Sequence, residues 1–404
     1  MASQPFGSWR GMTRQGAAPR VLHVTQPVDG GVARVVAELV RAQRAAGFHV
    51  VVACPESGLQ QTLWELGADV RDWPATRSPG PSLPGEVRRL ARVLEEVEPD
   101  VLHAHSAKAG LASRLAVRGR IPTVFQPHAW SFEAVGGVTA AMALAWERWG
   151  ARWAARVVCV SEAERETGVR AGVRAHWQVI PNGIDPERFR PAPVTAVRAS
   201  LAPLSGLDPV APLTVCVGRL CRQKGQDVLL KAWPSVLRRV PGARLALVGD
   251  GPQERRLRRL APEGVLFPGA VADAVPWYQA ADLVVLPSRW EGMALAPLEA
   301  MACGRPVVVT DVAGARESLP PGHRAHCLVP AGRPGPLADA LVRALLDPLL
   351  RESLGHQGRD HVLTAHDVRH SAEAVAALYR ELLGAGRTVA HRADHTECRE
   401  SIRS

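Results

Sequence analysis

Membrane-spanning runs, a secretion signal and paired cysteines are missing from this sequence of 404 residues. A transmembrane helix needs roughly 18 consecutive apolar residues, whereas the longest apolar stretch, residues 135–146, ends at Glu147 and Arg148. The N-terminus lacks the apolar core of a signal peptide, and the seven cysteines show no metal-ligand spacing. These absences predict a cytoplasmic chain with reduced, mostly buried thiols.

Lysine is also scarce: only three of the 49 basic residues are lysine, namely Lys108, Lys224 and Lys231. The formal net charge of +10 has two interpretations. One is a compositional bias toward arginine, and the other is attraction to an anionic small ligand or an anionic membrane face. No nucleic-acid-binding motif is recognisable, so we expect no nucleic-acid partner.

Short apolar runs alternate with amphipathic stretches along most of the chain, which is typical of an α/β protein whose parallel sheets are covered by helices on both faces. A segment rich in Pro, Ala and Ser at 191–212 separates two such series. The sequence therefore predicts two Rossmann-like domains that face a central cleft. The predicted organisation is a disordered N-terminus at 1–19, an N-terminal Rossmann-like domain at 20–190, a C-terminal Rossmann-like domain at 191–364, a C-terminal helix at 365–384 that packs back on the N-terminal domain, and a disordered tail at 385–404.

The residues just after the strands matter most, because ligands of such sheets bind at the carboxyl ends of the strands. Strands are predicted at 20–25, 49–53, 69–73, 101–104, 123–125, 156–160 and 177–180 in the first series, and at 213–217, 244–248, 264–267, 283–286, 306–310 and 326–329 in the second.

Two cations, Arg219 and Lys224, follow the strand at 213–217 in a loop that contains glycines. Placed there, they can clamp a diphosphate from two directions; the alternative is an ordinary solvated loop. Gly249 follows the next strand and would let the backbone approach a ligand closely.

The strand at 283–286 leads into the segment EGMALAPLEAMACG. Glu291 is predicted in the loop and Glu299 in the first turn of the helix that follows. Carboxylates accept hydrogen bonds, which suits them to the hydroxyls of a ribose or a sugar; their apolar setting argues against two ordinary surface charges. The backbone amides that can point at an anion near the helix start are those of Gly292, Met293, Ala294 and Leu295.

The segment HAHSAKAG, residues 103–110, spans the end of the strand at 101–104 and has two interpretations that remain open. Its polar residues His105 and Lys108 either meet a ligand, with Lys108 at a phosphate, or only flank a strand end and begin a helix. His103 and His105 have no third ligand at metal spacing, so no metal site is predicted.

Another open question is the aromatic stripe of Trp146, Trp149 and Trp153, which either belongs to the core or touches a bilayer interface with the arginines beside it.

The chain resembles the family 4 glycosyltransferases of the GT-B fold. The resemblance rests on EGMALAPLEAMACGRPVV, GRLCRQKGQDVL at 218–229, VGDGP at 248–252, PNGID at 181–185 and the Gly30-Gly31 pair, in the family's order over about residues 20–385. The family's common EGFGL stands here as EGMAL, which makes the loop tighter around a bound phosphate and keeps its amides.

The resemblance implies a role for each matching residue. Glu299 would bind the ribose hydroxyls, and Glu291 would contact the donor sugar. Arg219 and Lys224 would neutralise the donor diphosphate. The remaining implied positions are His128 beside the donor sugar, which completes the catalytic group with Arg219, Lys224 and Glu291, and the donor-binding backbone at Gly30 and Gly31. The resemblance also implies that the domain at 20–190 takes the acceptor, which His105 and Lys108 would meet in the first of their two interpretations, and that the domain at 191–364 binds the nucleotide sugar.

The function implied is that of a retaining glycosyltransferase, which moves a sugar from a nucleotide-sugar donor to a hydroxyl of a glycan or lipid-linked acceptor, at the inner face of the plasma membrane and with peripheral membrane contact. The sequence has no Asp-x-Asp at the catalytic position, so neither a metal nor another cofactor is expected. Two alternatives remain: a hydrolysing nucleotide-sugar 2-epimerase of the same fold, and a nucleotide-sugar-binding protein without catalysis. A Rossmann dehydrogenase is disfavoured, because neither Gly-rich turn completes GxGxxG.

Overall fold

The computed structural model describes residues 18–206 and 208–400, with side chains described up to Gly384. The segments predicted to be disordered, 1–19 and 385–404, lie outside this part, apart from residues 18 and 19 and the backbone of 385–400. The described residues form two compact units. The first contains those of 1–159, 165–180 and 371–404, and the second contains 160–164 and 181–370.

The first unit is built on a seven-stranded parallel sheet with the strand order β3-β2-β1-β4-β5-β6-β7. Its strands are nearly continuous apolar runs, as expected of a sheet covered on both faces. They are β1 Arg20–Thr25, β2 His49–Cys54, β3 Asp69–Asp72, β4 Val101–His105, β5 Thr123–Gln126, β6 Arg156–Cys159 and β7 Trp177–Val179.

The second unit has a six-stranded parallel sheet with the order β10-β9-β8-β11-β12-β13. Because β8 lies between β9 and β11, the loops that follow these three strands meet at one edge of the sheet. The strands are β8 Leu213–Val217, β9 Arg244–Val248, β10 Val265–Gly269, β11 Leu283–Leu286, β12 Val307–Thr310 and β13 Leu328–Val329. Two parallel sheets confirm the predicted α/β fold class.

Helices alternate with the strands in both units. They are α1 Gly30–Ala45, α2 Gly58–Glu65, α3 Leu83–Val97, α4 Ser106–Val117, α5 Gly137–Gly150, α6 Glu162–Arg170, α7 Val194–Ser200, α8 Gln226–Arg239, α9 Glu254–Leu260, α10 Val275–Ala280, α11 Leu295–Ala302, α12 Ala315–Ser318, α13 Arg324–Cys327, α14 Pro334–Leu346, α15 Pro348–Ala365 and α16 Val368–Glu400. Within the described residues, no helix is both long enough and apolar enough to cross a membrane.

The predicted strand at 326–329 is wrong in its first half. Residues Arg324–Cys327 form the short helix α13, and only Leu328 and Val329 pair with β12. This strand lies at the edge of the sheet and pairs on one side only, so less pairing is available to hold its backbone extended.

Register in the first sheet places histidines side by side. His23 of β1 is the partner of His103 in β4, and His105 at the end of β4 is the partner of Gln126 in β5. All four side chains are buried. The part of α16 from Ser371 belongs to the same unit and buries Tyr379 in its core, which adds a phenol to this polar group.

Candidate active site

The loop after β8 carries the two cations that the sequence predicted as a diphosphate clamp. Lys224 ends a short 3₁₀ helix, Arg222–Lys224, and Gly225 follows with a φ of +67°. A Cβ at Gly225 would collide with the carbonyl oxygen of Pro287, so glycine is what lets this loop lie against the loop after β11. That close approach brings Lys224 to the residues that follow β11.

An ion pair joins Lys224 to Glu291. The distance from Lys224 Nζ to Glu291 Oε1 is 2.6 Å, and the same oxygen accepts a hydrogen bond of 2.7 Å from Ser288 Oγ. Glu291 is buried and Lys224 is half-buried, so solvent and salt screen the pair less than they would at the surface. The structure thus brings together two residues of the predicted catalytic group and adds Ser288, which sequence analysis did not find.

Arg219 lies in the same loop and is half-buried. Its carbonyl oxygen accepts from Gln226, but its guanidinium makes no hydrogen bond or ion pair within the described residues. Gly249, in the loop after β9, has a φ of +136°, and a Cβ there would collide with the carbonyl oxygen of Gly218. The loops after β8 and β9 therefore touch through their backbones, with the Arg219 guanidinium unpaired beside them.

Two side chains hold the segment 292–295, which leads into α11. Ser161 Oγ donates to the carbonyl oxygen of Gly292 at 3.1 Å, and Asn182 Nδ2 donates to that of Met293 at 2.8 Å. No side chain caps α11, and in the part of the chain that the structure describes the amides of 292–295 donate to no protein acceptor. Uncapped amides at a helix start suit an anion.

Glu299 lies in the second turn of α11, and not in the first, because the helix begins at Leu295. Its carboxylate is buried and accepts a hydrogen bond of 2.6 Å from Tyr278 Oη. Tyr278 lies in α10 and was not found by sequence analysis, since a tyrosine in an apolar helix gives no functional signal on its own. The role of Glu299 at a ribose stays a prediction.

Gly30 and Gly31 are the first two residues of α1. Gly30 has a φ of +69° and both glycines are exposed. Asp29 precedes them at the N-cap position, but its side chain makes no capping hydrogen bond. The first amides of α1 are therefore not capped by a side chain.

His128 follows β5 in a strained turn. Its φ is +58° and that of Ala129 is +133°, which is a backbone conformation that residues other than glycine rarely adopt and that clusters at functional sites. The ring is partly exposed, and its Nε2 lies 3.1 Å from Nδ1 of His105. Burial lowers the pKa of His128, so the ring is neutral near pH 7.

His23 is the third imidazole that sequence analysis did not find beside His103 and His105. One ring nitrogen from each of the three lies within 4.8 Å of the others, and all three side chains are buried. The contact between His23 Nδ1 and His105 Nε2 is 2.9 Å, which is a hydrogen-bond distance. A histidine at an inward position of a strand next to HAH was the signal that could have identified it.

Lys108 lies in the first turn of α4 and its side chain is buried. Its Nζ is 2.6 Å from Glu86 Oε2, and it donates to the carbonyl oxygen of Ser78 at 3.0 Å. Burial opposes ionisation of Glu86, but hydrogen bonds and the Lys108 ammonium outweigh it and lower the pKa of Glu86. Lys108 therefore belongs to a buried ion pair that the sequence did not predict.

The tryptophan stripe divides between core and surface. Trp146 packs under the guanidinium of the buried Arg114, 5.2 Å from the ring centroid, whereas Trp149 is 43% exposed. Trp149 and Trp153 contact each other with ring centroids 4.3 Å apart. The exposed part of the stripe therefore centres on Trp149.

Two family models match the chain. One, described as Glycosyltransferase Family 4, matches residues 29–188, and the other, described as Glycosyl transferases group 1, matches residues 211–347. Together these ranges cover most of the chain and every strand of the two sheets except β1.

Two curated relatives each match about half of the chain. A GDP-mannose-dependent alpha-(1-6)-phosphatidylinositol monomannoside mannosyltransferase of Mycobacterium tuberculosis is 39% identical over 206 residues, which is 47% of this chain and 52% of the relative. A D-inositol 3-phosphate glycosyltransferase of Saccharomonospora viridis is 37% identical over 224 residues, which is 52% of this chain and 51% of the relative. The chain thus spans about half the length of the curated relatives it matches.

A solved structure matches almost the whole chain. Sucrose-phosphate synthase from Thermosynechococcus elongatus aligns with a TM-score of 0.77 over 91% of this chain and 100% of that chain, at 24% identity. At that identity the likeness shows the fold alone, and it confirms the predicted GT-B type.

Proposed function

Because this chain belongs to the family 4 glycosyltransferases of the GT-B fold, we propose that it transfers a glycosyl group from a nucleotide-sugar donor to a hydroxyl of a lipid-linked or polysaccharide precursor. The printed names of the relatives support the reaction type, since one is a mannosyltransferase and the other a glycosyltransferase, and both names include an inositol compound.

The observation that carries the proposal is the group of cations and amides after β8 and β11. Lys224 lies 2.6 Å from Glu291, the Arg219 guanidinium has no partner within the described residues, and the amides of 292–295 are uncapped. When the bond between sugar and diphosphate breaks, negative charge grows on the leaving phosphate. Preorganised cations and amides stabilise that charge most where it develops.

In this proposal the two glutamates have separate tasks. Glu299 accepts hydrogen bonds from the ribose hydroxyls, with its carboxylate held by Tyr278. Glu291 contacts the donor sugar, with its carboxylate held by Lys224 and Ser288. Neither needs to act as the paired carboxylate of a glycosidase.

Retention of the anomeric configuration is part of the proposal. The acceptor hydroxyl attacks on the face that the diphosphate leaves, and a leaving phosphate oxygen takes the acceptor proton. Arg219 and Lys224 supply the positive charge that a divalent metal would otherwise supply, so we propose a reaction without metal or other cofactor.

We place the reaction in the cytoplasm at the inner face of the plasma membrane, with α5 as the surface that touches the bilayer. Val138 is 78% exposed and Met142 is 68% exposed, and Trp149 lies two turns further along the same helix. Arg152, whose guanidinium lies 4.9 Å from the Trp149 ring, adds charge suited to anionic lipid. Sedimentation with anionic and neutral vesicles tests this contact: a Met142→Asp variant should sediment less, and equal sedimentation of both proteins would contradict it.

The reaction is tested by incubating the full chain with a panel of nucleotide sugars, first in a thermal-shift screen. A ligand at 100 times its dissociation constant should stabilise the fold by ~2.7 kcal/mol. The donors that bind are then incubated with and without a lipid-linked acceptor. A transferase releases nucleoside diphosphate mainly when the acceptor is present. Release without acceptor, together with an altered free sugar, would instead identify the 2-epimerase, and binding without any release would identify a binding protein.

A further inference from the structure

A chain of hydrogen bonds in the first unit runs from Gln43 to His128. Gln43 Oε1 lies 2.8 Å from His23 Nε2, and His23 Nδ1 lies 2.9 Å from His105 Nε2. His105 Nδ1 then lies 3.1 Å from His128 Nε2. Gln43, His23 and His105 are 0% exposed, whereas His128 is partly exposed. His128 is therefore the end of the chain that a substrate can reach.

Each of the three imidazoles carries one ring proton. Burial lowers the pKa of His23 to about 4 and that of His105 well below its ordinary value, and it also lowers that of His128, so all three rings are neutral near pH 7. A neutral imidazole has one N–H donor and one acceptor nitrogen. Each contact between two rings holds a single proton, so the direction of one hydrogen bond fixes the direction of all the others.

Gln43 sets that direction. Its amide oxygen faces His23, so His23 donates from Nε2 and accepts at Nδ1. His105 must then donate from Nε2 to His23 and accept at Nδ1. The remaining proton of the chain is on His128 Nε2, which leaves Nδ1 of His128 as a bare acceptor.

A side branch keeps the Gln43 amide in this orientation. Gln43 Nε2 donates to Tyr379 Oη at 3.5 Å, and Tyr379 Oη lies 2.6 Å from His103 Nδ1. The phenol then donates to His103, whose own proton must be on Nε2. Burial lowers the pKa of His103, and the side chain of Gln126 opposes that effect; His103 Nε2 and Gln126 Oε1 are both buried and have no other hydrogen-bond partner among the described residues. If the Gln43 amide were reversed, Tyr379 would donate to Gln43 and His103 would carry its proton on Nδ1. The lone pair on His103 Nε2 would then face the Gln126 oxygen, which is unfavourable.

We propose that Gln43, His23 and His105 are positioning residues that hold His128 in the Nε2–H tautomer, with Nδ1 as a hydrogen-bond acceptor directed at a substrate hydroxyl. A hydroxyl can donate to this nitrogen, whereas a phosphate oxygen cannot. The inference deepens the proposed function and rests on it for the identity of the ligand as a sugar. The tautomer itself is a property of the free protein and does not depend on that function.

His23, His103 and His105 could instead hold a metal ion, because one ring nitrogen from each lies within 4.8 Å of the others, but the geometry disfavours it. Two tetrahedral zinc ligands at ~2.05 Å lie about 3.3 Å apart, whereas His23 Nδ1 and His105 Nε2 are 2.9 Å apart. A shared proton suits that distance better.

The test is ¹⁵N NMR of the full chain labelled at its histidines, with the His128 signals assigned from a His128→Gln variant. We expect His128 to be protonated at Nε2 and unprotonated at Nδ1 in the unaltered protein. The opposite tautomer, or stoichiometric zinc on the purified protein, overturns the inference. This first measurement needs only one variant to fold, the His128→Gln protein that is used for assignment.

Gln43→Leu is the second arm, because it removes the group that orders the protons. We expect His128 to become a mixture of both tautomers and turnover to fall by about 10–100-fold, the range found for the partners that fix the tautomer of metal-bound histidines. Gln60→Leu is the matched control: Gln60 is equally a buried glutamine of the first unit, but it donates to the carbonyl oxygen of Cys54. Unchanged His128 signals in Gln43→Leu overturn the inference. If no transfer reaction is found, the proposed function fails while the tautomer result still stands.

Discussion

Lys224 and Glu291 form an ion pair of 2.6 Å across 67 residues of sequence. They meet because β8 and β11 are neighbours in the second sheet and because Gly225 allows the loops after these strands to touch. A diphosphate bound at this edge would share the Lys224 ammonium with Glu291. The cation is thus held in place before the ligand arrives, which is what electrostatic preorganisation requires.

Replacing Lys224 by Ala should lower turnover by about 10²–10³-fold, the usual effect of removing one such donor. Binding of the intact donor should weaken much less, because charge on the leaving phosphate grows only as the bond breaks. Lys231→Ala is the control, since Lys231 is exposed in α8 and should change little. Steady-state kinetics would measure turnover, and calorimetry would measure donor binding. Equal small effects of the two substitutions would show that Lys224 does not stabilise the leaving diphosphate.

Glu299→Ala should weaken donor binding by about 10–100-fold, since a hydrogen bond to a charged group contributes about 1.5–3 kcal/mol. Tyr278→Phe, which removes the 2.6 Å hydrogen bond to Glu299, should weaken binding in the same direction by less. Glu263→Ala in an exposed loop of the same unit is the control. Isothermal titration with the donor measures all three, and full donor affinity in a folded Glu299→Ala protein would show that the ribose assignment is wrong.

Chelation should leave activity intact. Arg219 and Lys224 neutralise the diphosphate in our proposal, so removing divalent ions takes away nothing that the reaction needs. Turnover is compared before and after incubation with excess chelator. Loss of activity that magnesium or manganese restores would show that the two cations are not sufficient.

Much of the fold could be predicted, because the strands of a buried parallel sheet appear in the sequence as apolar runs. The helix start at Ser161-Glu162-Ala163-Glu164 could also be predicted: Glu164 N donates to Ser161 Oγ at 3.1 Å, and Val160 N donates to Glu164 Oε2 at 2.7 Å. Both are local signals. The order of the strands and the partners of single polar side chains depend on contacts between distant parts of the chain, and no local pattern carries them.

Most of the residues that sequence analysis missed depend on such distant contacts, although Ser288 lies only three positions before Glu291. His23 joins the histidine group because β1 pairs with β4, and Tyr379 joins it from α16. Glu86 meets Lys108 across 22 positions of sequence, from α3 to α4. For that reason HAHSAKAG alone could not decide between an acceptor site and a structural strand end.

The buried histidines predict that stability falls in mild acid. His23 has its pKa lowered to about 4 by burial, from an ordinary 6.5, and His103 and His105 shift in the same direction. Well above pH 6.5 these rings are neutral in both the folded and the unfolded chain, so they add no pH dependence to the free energy of unfolding. Below it the unfolded chain binds protons that the folded chain does not, so the free energy of unfolding falls by up to ~1.4 kcal/mol per pH unit for each such histidine.

Urea unfolding between pH ~7.5 and ~5.5 measures this dependence. His23→Gln should have a shallower loss of stability in this range, because one titrating ring is gone. His370→Gln, which changes an exposed histidine, should follow the unaltered protein. Identical pH dependence in all three proteins would contradict the assignment.

Lys108 and Glu86 should act as a structural pair. Both side chains are nearly fully buried, and Glu86 Oε1 also accepts hydrogen bonds from Thr76 N at 3.0 Å and Ser82 Oγ at 2.8 Å. Lys108→Met leaves this carboxylate buried without its cation, which typically costs roughly 3–5 kcal/mol. Removing the charge as well, in Lys108→Met with Glu86→Gln, should recover part of the loss, because a pair of neutral side chains has no charge to desolvate.

The folded double variant then decides the question that the sequence left open. If the pair is structural, the double variant should transfer sugar with an unchanged KM for the acceptor, since Lys108 Nζ is already engaged by Glu86 and Ser78. The control is Arg239→Ala, which breaks an exposed ion pair with Asp339 and should change stability little. A large rise in the acceptor KM of the stable double variant, with the donor KM unchanged, would instead show that Lys108 leaves its buried partner to meet an acceptor phosphate.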